Sequence, residues 1–320
     1  MTQIANDKPA RAAGSAPAGS VVGGGLLLAV ISATTFGLSG PLASGLLTAG
    51  WSPGAIVLCR MTVAALALAP FTIATLRGRW HLVARQKGQI LVYGVLAVAG
   101  AQFCYFSAVA TMDVAPALLI EYTAPAAVVA WMWLRHGQRP ARLTVLGAVV
   151  AAAGLVLVLD LTSGAHVAWS GVAWALAAMI GATAYFLISA DTGTGLPPLA
   201  LAGLGLTVGS LTLGALAATG LLPMHGVTTP VTFAVGSPPW WVPLLLLGLV
   251  TAALAYATGI AASRRLGSRV ASFVALLEVV AAVVFAWLLV DQLPGLMQLA
   301  GGLLIVGGVV AVKLGDRRIA

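Results

Sequence analysis

The sequence predicts an all-α polytopic membrane protein of ten transmembrane helices, arranged as two inverted five-helix units. Three observations predict it. Charge is scarce: of 320 residues 8% are charged and 60% hydrophobic, with a mean hydropathy of +1.04, whereas about a quarter of the residues in a soluble domain are charged. The 16 basic residues gather in alternate connections between apolar runs. Finally, a pattern of Trp, Gln, Pro and two Gly recurs at an offset of 154 residues.

A membrane-crossing helix needs roughly 20 mostly apolar residues, and Pro, Gly and charge divide the chain into runs of that length. The first, 23–47, follows an Ala/Gly/Ser/Pro tail, 1–22, of a composition expected to be disordered. Lys8 and Arg11 in that tail resemble a signal-peptide start, but the run behind them, about 25 residues, is too long for such a peptide and stays as the first helix. Helix 2 runs from Pro53 toward Arg77 (53–76), helix 3 from beyond Lys87 (88–110), helix 4 from before Pro116 toward Arg135 (114–134), and helix 5 from beyond Pro140 toward Asp160 (141–159). Helices 6 to 10 follow at 169–189, 197–221, 240–263, 268–290 and 294–313, bounded by Trp169 and Asp191, Pro197 and Pro223, Trp240 and Arg264, Ser268 and Asp291, and Pro294 and Lys313. The expected domains are therefore the tail 1–22, a first unit 23–160, a connection 161–168, a second unit 169–314 and a short tail 315–320.

Charge placement tests the count, because cytoplasmic loops keep Lys and Arg while translocated loops avoid them. All the basic residues except Arg60 fall in the first tail, between helices 2 and 3, between 4 and 5, around the junction of 8 and 9, or after 10. The connections after helices 1, 3, 5, 7 and 9 hold none, so both termini are expected to be cytoplasmic. The positive charge is an orientation signal, and nucleic acid is excluded as a partner because no basic, aromatic-interleaved surface exists to hold it. The nine tryptophans lie in loops or near helix ends, the headgroup level that indole prefers. Cys59 and Cys104 lie in apolar runs without metal-binding or disulfide spacing.

The repeat explains the pairing of units. Trp133, Gln138, Pro140, Gly147 and Gly154 match Trp287, Gln292, Pro294, Gly301 and Gly308. Ala33, Thr34 and Phe36 likewise match Ala182, Thr183 and Tyr185. Units of five helices must run through the membrane in opposite senses. Consistent with that, the turn after Trp133 carries Arg135, Arg139 and Arg142, where the turn after Trp287 carries Leu289, Leu293 and Leu296. Inverted repeats with a site between them near the midplane are the architecture of alternating-access transporters.

On these residues the chain resembles the EamA family of the drug/metabolite transporter superfamily over about 23–314. The resemblance rests further on Thr35-Phe36-Gly37-Leu38-Ser39, Arg60, Arg264-Arg265-Leu266-Gly267-Ser268, Leu277-Glu278, and Trp287 followed by Leu-Leu-Val-Asp-Gln-Leu-Pro. Two departures stand out: Gly137-Gln138 and Asp291-Gln292 replace the family's Gly-Glu pairs, and Val279 follows Glu278 where a proline is common. The resemblance implies a secondary transporter exporting amino acids or related small metabolites across the bacterial inner membrane, with a central cavity lined mainly by helices 1, 3, 4, 6, 8 and 9. An importer or exchanger of another solute or drug is the alternative.

Arg60, Glu121 and Glu278 are the ionisable residues well inside the spans, where charge is costly and marks function by default. Arg60 and Glu121 each lie about seven residues, or roughly 10 Å, from the same membrane face, and are expected to pair. Glu278 aligns with Ala124, one turn from Glu121, so the two acids occupy related levels and could load a proton or hold an ammonium group. Phe36, Gln102, Tyr105, Tyr122, Tyr185 and Tyr256 are the polar and aromatic candidates for the cavity wall, with Gln102 and Tyr256 at equivalent repeat positions. Pro41, Pro116 and Pro125 are candidates for helix bends. Gly205 and Gly209 form a G-x-x-x-G on helix 7, and small-residue stripes of this kind serve close helix packing or dimerisation, so the chain is expected to be a monomer or homodimer. No nucleotide-binding loop or metal spacing is present and no cofactor is expected, so a gradient must supply the energy. Gly37-Leu38-Ser39-Gly40 resembles the serine motif of rhomboid-like proteases, but Ser39 would need a histidine base. His81, His136, His166 and His225 all lie outside the spans, which makes an enzyme remote.

Overall fold

The computed structural model describes residues 18–109, 111, 120–158, 168–291 and 295–316, and among these the fold is all helix apart from one isolated bridge, Phe233 with Gly236. Residues 1–17 of the expected tail 1–22, Pro116, residues 161–167 of the expected connection 161–168, Gln292 to Pro294, and residues 317–320 of the expected tail 315–320 lie outside the described residues. Helices α1 (Ala18–Gly37) and α2 (Ser39–Thr48) meet at a single turn residue, Leu38. Helix α3 (Pro53–Leu76) starts on an N-cap, with Ser52 Oγ accepting from the Ala55 N–H at 3.3 Å and Pro53 in the first turn. Short α4 (Trp80–Arg85) and α5 (Lys87–Val92) lead into a π-helical segment, Tyr93–Gly100, and α6 (Ala101–Val109). After Ile120 and Glu121 the chain turns at Tyr122 and Thr123 into α7 (Ala124–His136), then α8 (Arg142–Val158).

The second half opens with α9 (Trp169–Ala190) and α10 (Pro198–Ala218). It continues through α11 (Trp241–Gly248), a second π segment, Leu249–Leu254, and α12 (Ala255–Ala275). It ends with α13 (Leu277–Val290) and α14 (Leu296–Asp316). Among the described residues six stretches are long and apolar enough to cross a membrane, and Arg142–Leu157, Leu277–Leu289 and Leu299–Gly315 are shorter apolar helices. Large apolar side chains ring the outside: Leu27, Leu66, Leu134, Val149, Leu211 and Leu303 are all exposed. Contiguous exposure of this kind is untenable in water and fits a lipid-facing surface.

The 154-residue repeat is written into the backbone. The second π segment, Leu249–Leu254, falls on the positions equivalent to 95–100 within the first. The turn at Leu276 matches that at Tyr122, and Asp291 (φ 56°) matches Gly137 (φ 67°), both left-handed helix ends. Repeat-related α8 and α14 cross antiparallel at their glycines. A methyl group on Gly147 would lie 2.7 Å from the Gly308 carbonyl oxygen, and one on Gly154 would lie 2.6 Å from that of Gly301. Such closeness lets two backbones touch where hydrophobicity cannot drive association. Gly205 and Gly209 are likewise used inside the chain: Gly205 lies under the Tyr93 ring and Gly209 against Val98 and Met61. No second copy is needed to explain them.

Pro41 and Pro125 stand in the first turns of α2 and α7, just after the breaks at Leu38 and at Tyr122 and Thr123, where the expected bends fall. The sharpest internal break is at Gly267 (φ 78°, ψ 161°), which ends one helical stretch and lets the next begin at Ser268. Between α10 and α11, residues 219–240 fold over the end of the bundle opposite the arginines. Trp51 Nε1 donates to the Val227 carbonyl at 3.0 Å, and the backbone N–H groups of Ser52 and Ala234 donate to His225 (2.9 Å) and Leu289 (2.7 Å). Trp51 and Trp240 stack there at 5.8 Å, so this pair is a protein contact as well as an end-of-helix position.

Candidate functional site

A cavity of about 710 Å³ lies between the two halves, within the size range of small-molecule sites. Its wall contains all nine residues singled out from sequence. Phe36 comes from the last turn of α1, Arg60 from α3, and Gln102 and Tyr105 from α6. Glu121 and Tyr122 come from the bend before α7, Tyr185 from α9, Tyr256 from α12 and Glu278 from the first turn of α13. Helix α3 adds a wall that the sequence reading did not assign, with Ile56 and Val57 beside Arg60. Small residues, including Ser32, Ser263 and Ser272, complete the lining.

Among the described residues Arg60 is the most enclosed charge, 4% exposed. The expected pair with Glu121 is not formed. Nη1 of Arg60 donates to Gln102 Oε1 at 3.1 Å and Nη2 to the Thr251 carbonyl at 2.7 Å, while Nε has no partner. Thr251 lies in the second π segment, whose widened turn lets a carbonyl turn aside to a side chain. That acceptor is invisible in the sequence, and with Gln102 it takes two of the guanidinium's donors. The Phe36 ring centroid lies 5.9 Å from Arg60 Cζ, close enough for the ring's negative face to help a cation.

An aromatic wall continues from there. Phe36 meets Tyr256 edge-on at 5.2 Å, Tyr256 meets Tyr185 edge-on at 5.6 Å, and Tyr185 stacks on Tyr93 at 6.1 Å. The Tyr185 hydroxyl is buried without a hydrogen-bond partner and sits over Gly259, where any side chain would collide with it and with Ser32 Oγ. Gly259 is the repeat counterpart of Tyr105: one half carries the ring and the other leaves room for one. Across the cavity, the Tyr122 hydroxyl is within hydrogen-bonding reach of the Glu278 carboxylate. Gly37 lets α1 approach α13 at that level, since a methyl group there would stand 2.7 Å from the Glu278 carbonyl oxygen.

Among the described residues no ion pair joins Arg60 to either acid. The arrangement is one cation held by neutral acceptors, two carboxyl groups, and a mostly apolar and aromatic wall. Ser39 lies in the wall, but the described histidines, His81, His136 and His225, do not.

Comparison with known proteins bears on this geometry. Residues 23–160 and 169–314 each match the EamA-like transporter family. A solved structure described only as the crystal structure of a protein superposes with a TM-score of 0.73 at 23% identity, covering 94% of this chain and 99% of that one. That likeness is one of fold alone. No curated protein matches the chain.

Proposed function

The chain belongs to the EamA-like transporter family, and from that premise we propose that it is a secondary transporter exporting amino acids or related small metabolites across the bacterial inner membrane by alternating access. The observation that carries the reading is the convergence of Arg60, Glu121 and Glu278 on one cavity between the two family repeats. Intramembrane charges are otherwise too costly to keep. In this reading ten helices form two inverted units, the arginine-rich ends face the cytoplasm with both termini, and the units rock about the cavity.

The acids give the cycle its driving force. Glu121 and Glu278 alternately hold a proton and the substrate's ammonium group, so an inward proton gradient drives export. The apolar and aromatic wall takes the remainder of the solute. The test is flux of a labelled amino-acid panel through purified protein in liposomes, with and without an imposed pH gradient. Saturable flux that responds to the gradient supports the reading; flux indifferent to pH removes the coupling, and absence of flux for every solute removes the substrate assignment.

A further inference from the structure

Resting on the transport reading above, we propose that Arg60 is a carboxylate-binding subsite of the cavity, where Gln102 holds one of its donors as a neutral stand-in. The guanidinium is 4% exposed and lines the cavity, yet its partners are an amide oxygen, a backbone carbonyl and, for Nε, nothing. A buried cation with no carboxylate in hydrogen-bonding contact is an expensive arrangement, and the two acids of the cavity do not provide that contact. A carboxylate-bearing solute can provide it.

The molecule contains its own control for a purely structural role. Gly94 and Gly248 are repeat equivalents. Gly248 packs against Arg60 and Val63 of α3, with their backbone and side-chain atoms respectively, and Gly94 packs in the same way against Gly205 and Val208 of α10. Arg60 and Gly205 therefore stand at matching places in the two halves. The second junction forms, π segment included, with glycine where the first has arginine. In that half the space is taken by the Tyr93 ring. Helix packing at this junction does not require a guanidinium.

The chemistry then selects the ligand. Arginine presents five donors in a planar fork that matches a carboxylate with two parallel bonds. Gln102 Oε1 at 3.1 Å occupies one of the positions a carboxylate oxygen would take, and rotation of its flexible side chain would release Nη1. Phe36 backs the cation without competing for donors. Because Gly205 offers nothing comparable, a carboxylate-bearing solute binds with one fixed polarity, its acid end toward α3 and α6.

The experiment uses full-length protein in lipid nanodiscs and calorimetric binding of L-phenylalanine, phenylalaninamide and phenethylamine, which share a ring and an amine but differ in the carboxylate. L-phenylalanine should bind about tenfold or more tighter than the other two, and Arg60→Gln should bring the three to within about twofold of one another by the same accounting. Equal binding of the three to the unmodified protein would overturn the subsite, as would a preference for the acid that survives in Arg60→Gln. If that variant is not recovered folded, the ligand series on the unmodified protein decides alone. Amines carried in liposomes while carboxylate solutes are not would overturn the subsite and leave the transport reading standing; no flux of any solute would remove both.

Discussion

A methyl group placed on Gly308 would lie 2.6 Å from the Gly147 carbonyl oxygen, and one on Gly147 would lie 2.7 Å from that of Gly308. The contact joins the first half to the second through backbone alone. Gly147→Ala or Gly308→Ala must push α8 and α14 apart, at a cost of about 1–3 kcal/mol. Each should lower the thermal unfolding midpoint of the purified protein, whereas Gly307→Ala, where a methyl group meets nothing, should not lower it and gains about 0.5–1 kcal/mol of helix preference.

The left-handed ends of α7 and α13 make a second pair. Asp291 is the non-glycine residue with positive φ among the described residues, at the place where the first half has Gly137. Left-handed backbone costs a residue with a Cβ roughly 1 kcal/mol relative to glycine. Asp291→Gly should therefore raise the midpoint and Gly137→Ala lower it. Equal and opposite shifts are not required, since Asp tolerates this region better than Ala.

The unpartnered Tyr185 hydroxyl over Gly259 predicts an unusual rescue. Removing a buried hydroxyl that makes no hydrogen bond should cost less than about 1 kcal/mol, so Tyr185→Phe should fold normally. Gly259→Ala alone should express poorly because its methyl collides with that hydroxyl. The double variant should recover part of the loss and not all of it, because Ser32 Oγ still stands 2.7 Å from the methyl position, measured as monodisperse protein on size-exclusion chromatography.

Much of the site was legible in the sequence because charge inside an apolar helix is rare enough to be noticed. Arg60, Glu121 and Glu278 stood out for that reason, and helical spacing with the repeat brought Gln102 and Tyr256 in behind them. The partner of Arg60 was not legible. It depends on the carbonyl of Thr251 within a π segment and on the rotamer of Gln102, and neither leaves a mark in composition or periodicity. The fold of 219–240 was hidden for a related reason, since it is held by a hydrogen bond from the Trp51 indole and by backbone hydrogen bonds to Ser52 and Leu289, and carries no periodic pattern of its own. Gly267 falls in the expected junction between helices 8 and 9, and its φ of 78° marks the point where one helical stretch ends.

Proton coupling predicts different behaviour from the two acids than from the aromatic wall. Glu278→Gln, which keeps the hydrogen-bonding shape but cannot release a proton, should abolish the response of flux to an imposed pH gradient while leaving some downhill exchange. Tyr256→Phe keeps its ring contacts with Phe36 and Tyr185 and should preserve the response. The comparison is made in liposomes with a labelled substrate and an internal pH dye.

The most direct measurement is flux of labelled amino acids through the purified protein before and after the cavity is filled by Ala182→Trp, a change from a small lining residue of α9 to a large one. The account predicts saturable flux in the unmodified protein that falls by about tenfold or more in a Trp variant of unaltered thermal midpoint. Undiminished flux through the filled cavity would contradict it, because the solute would then have to cross by another path.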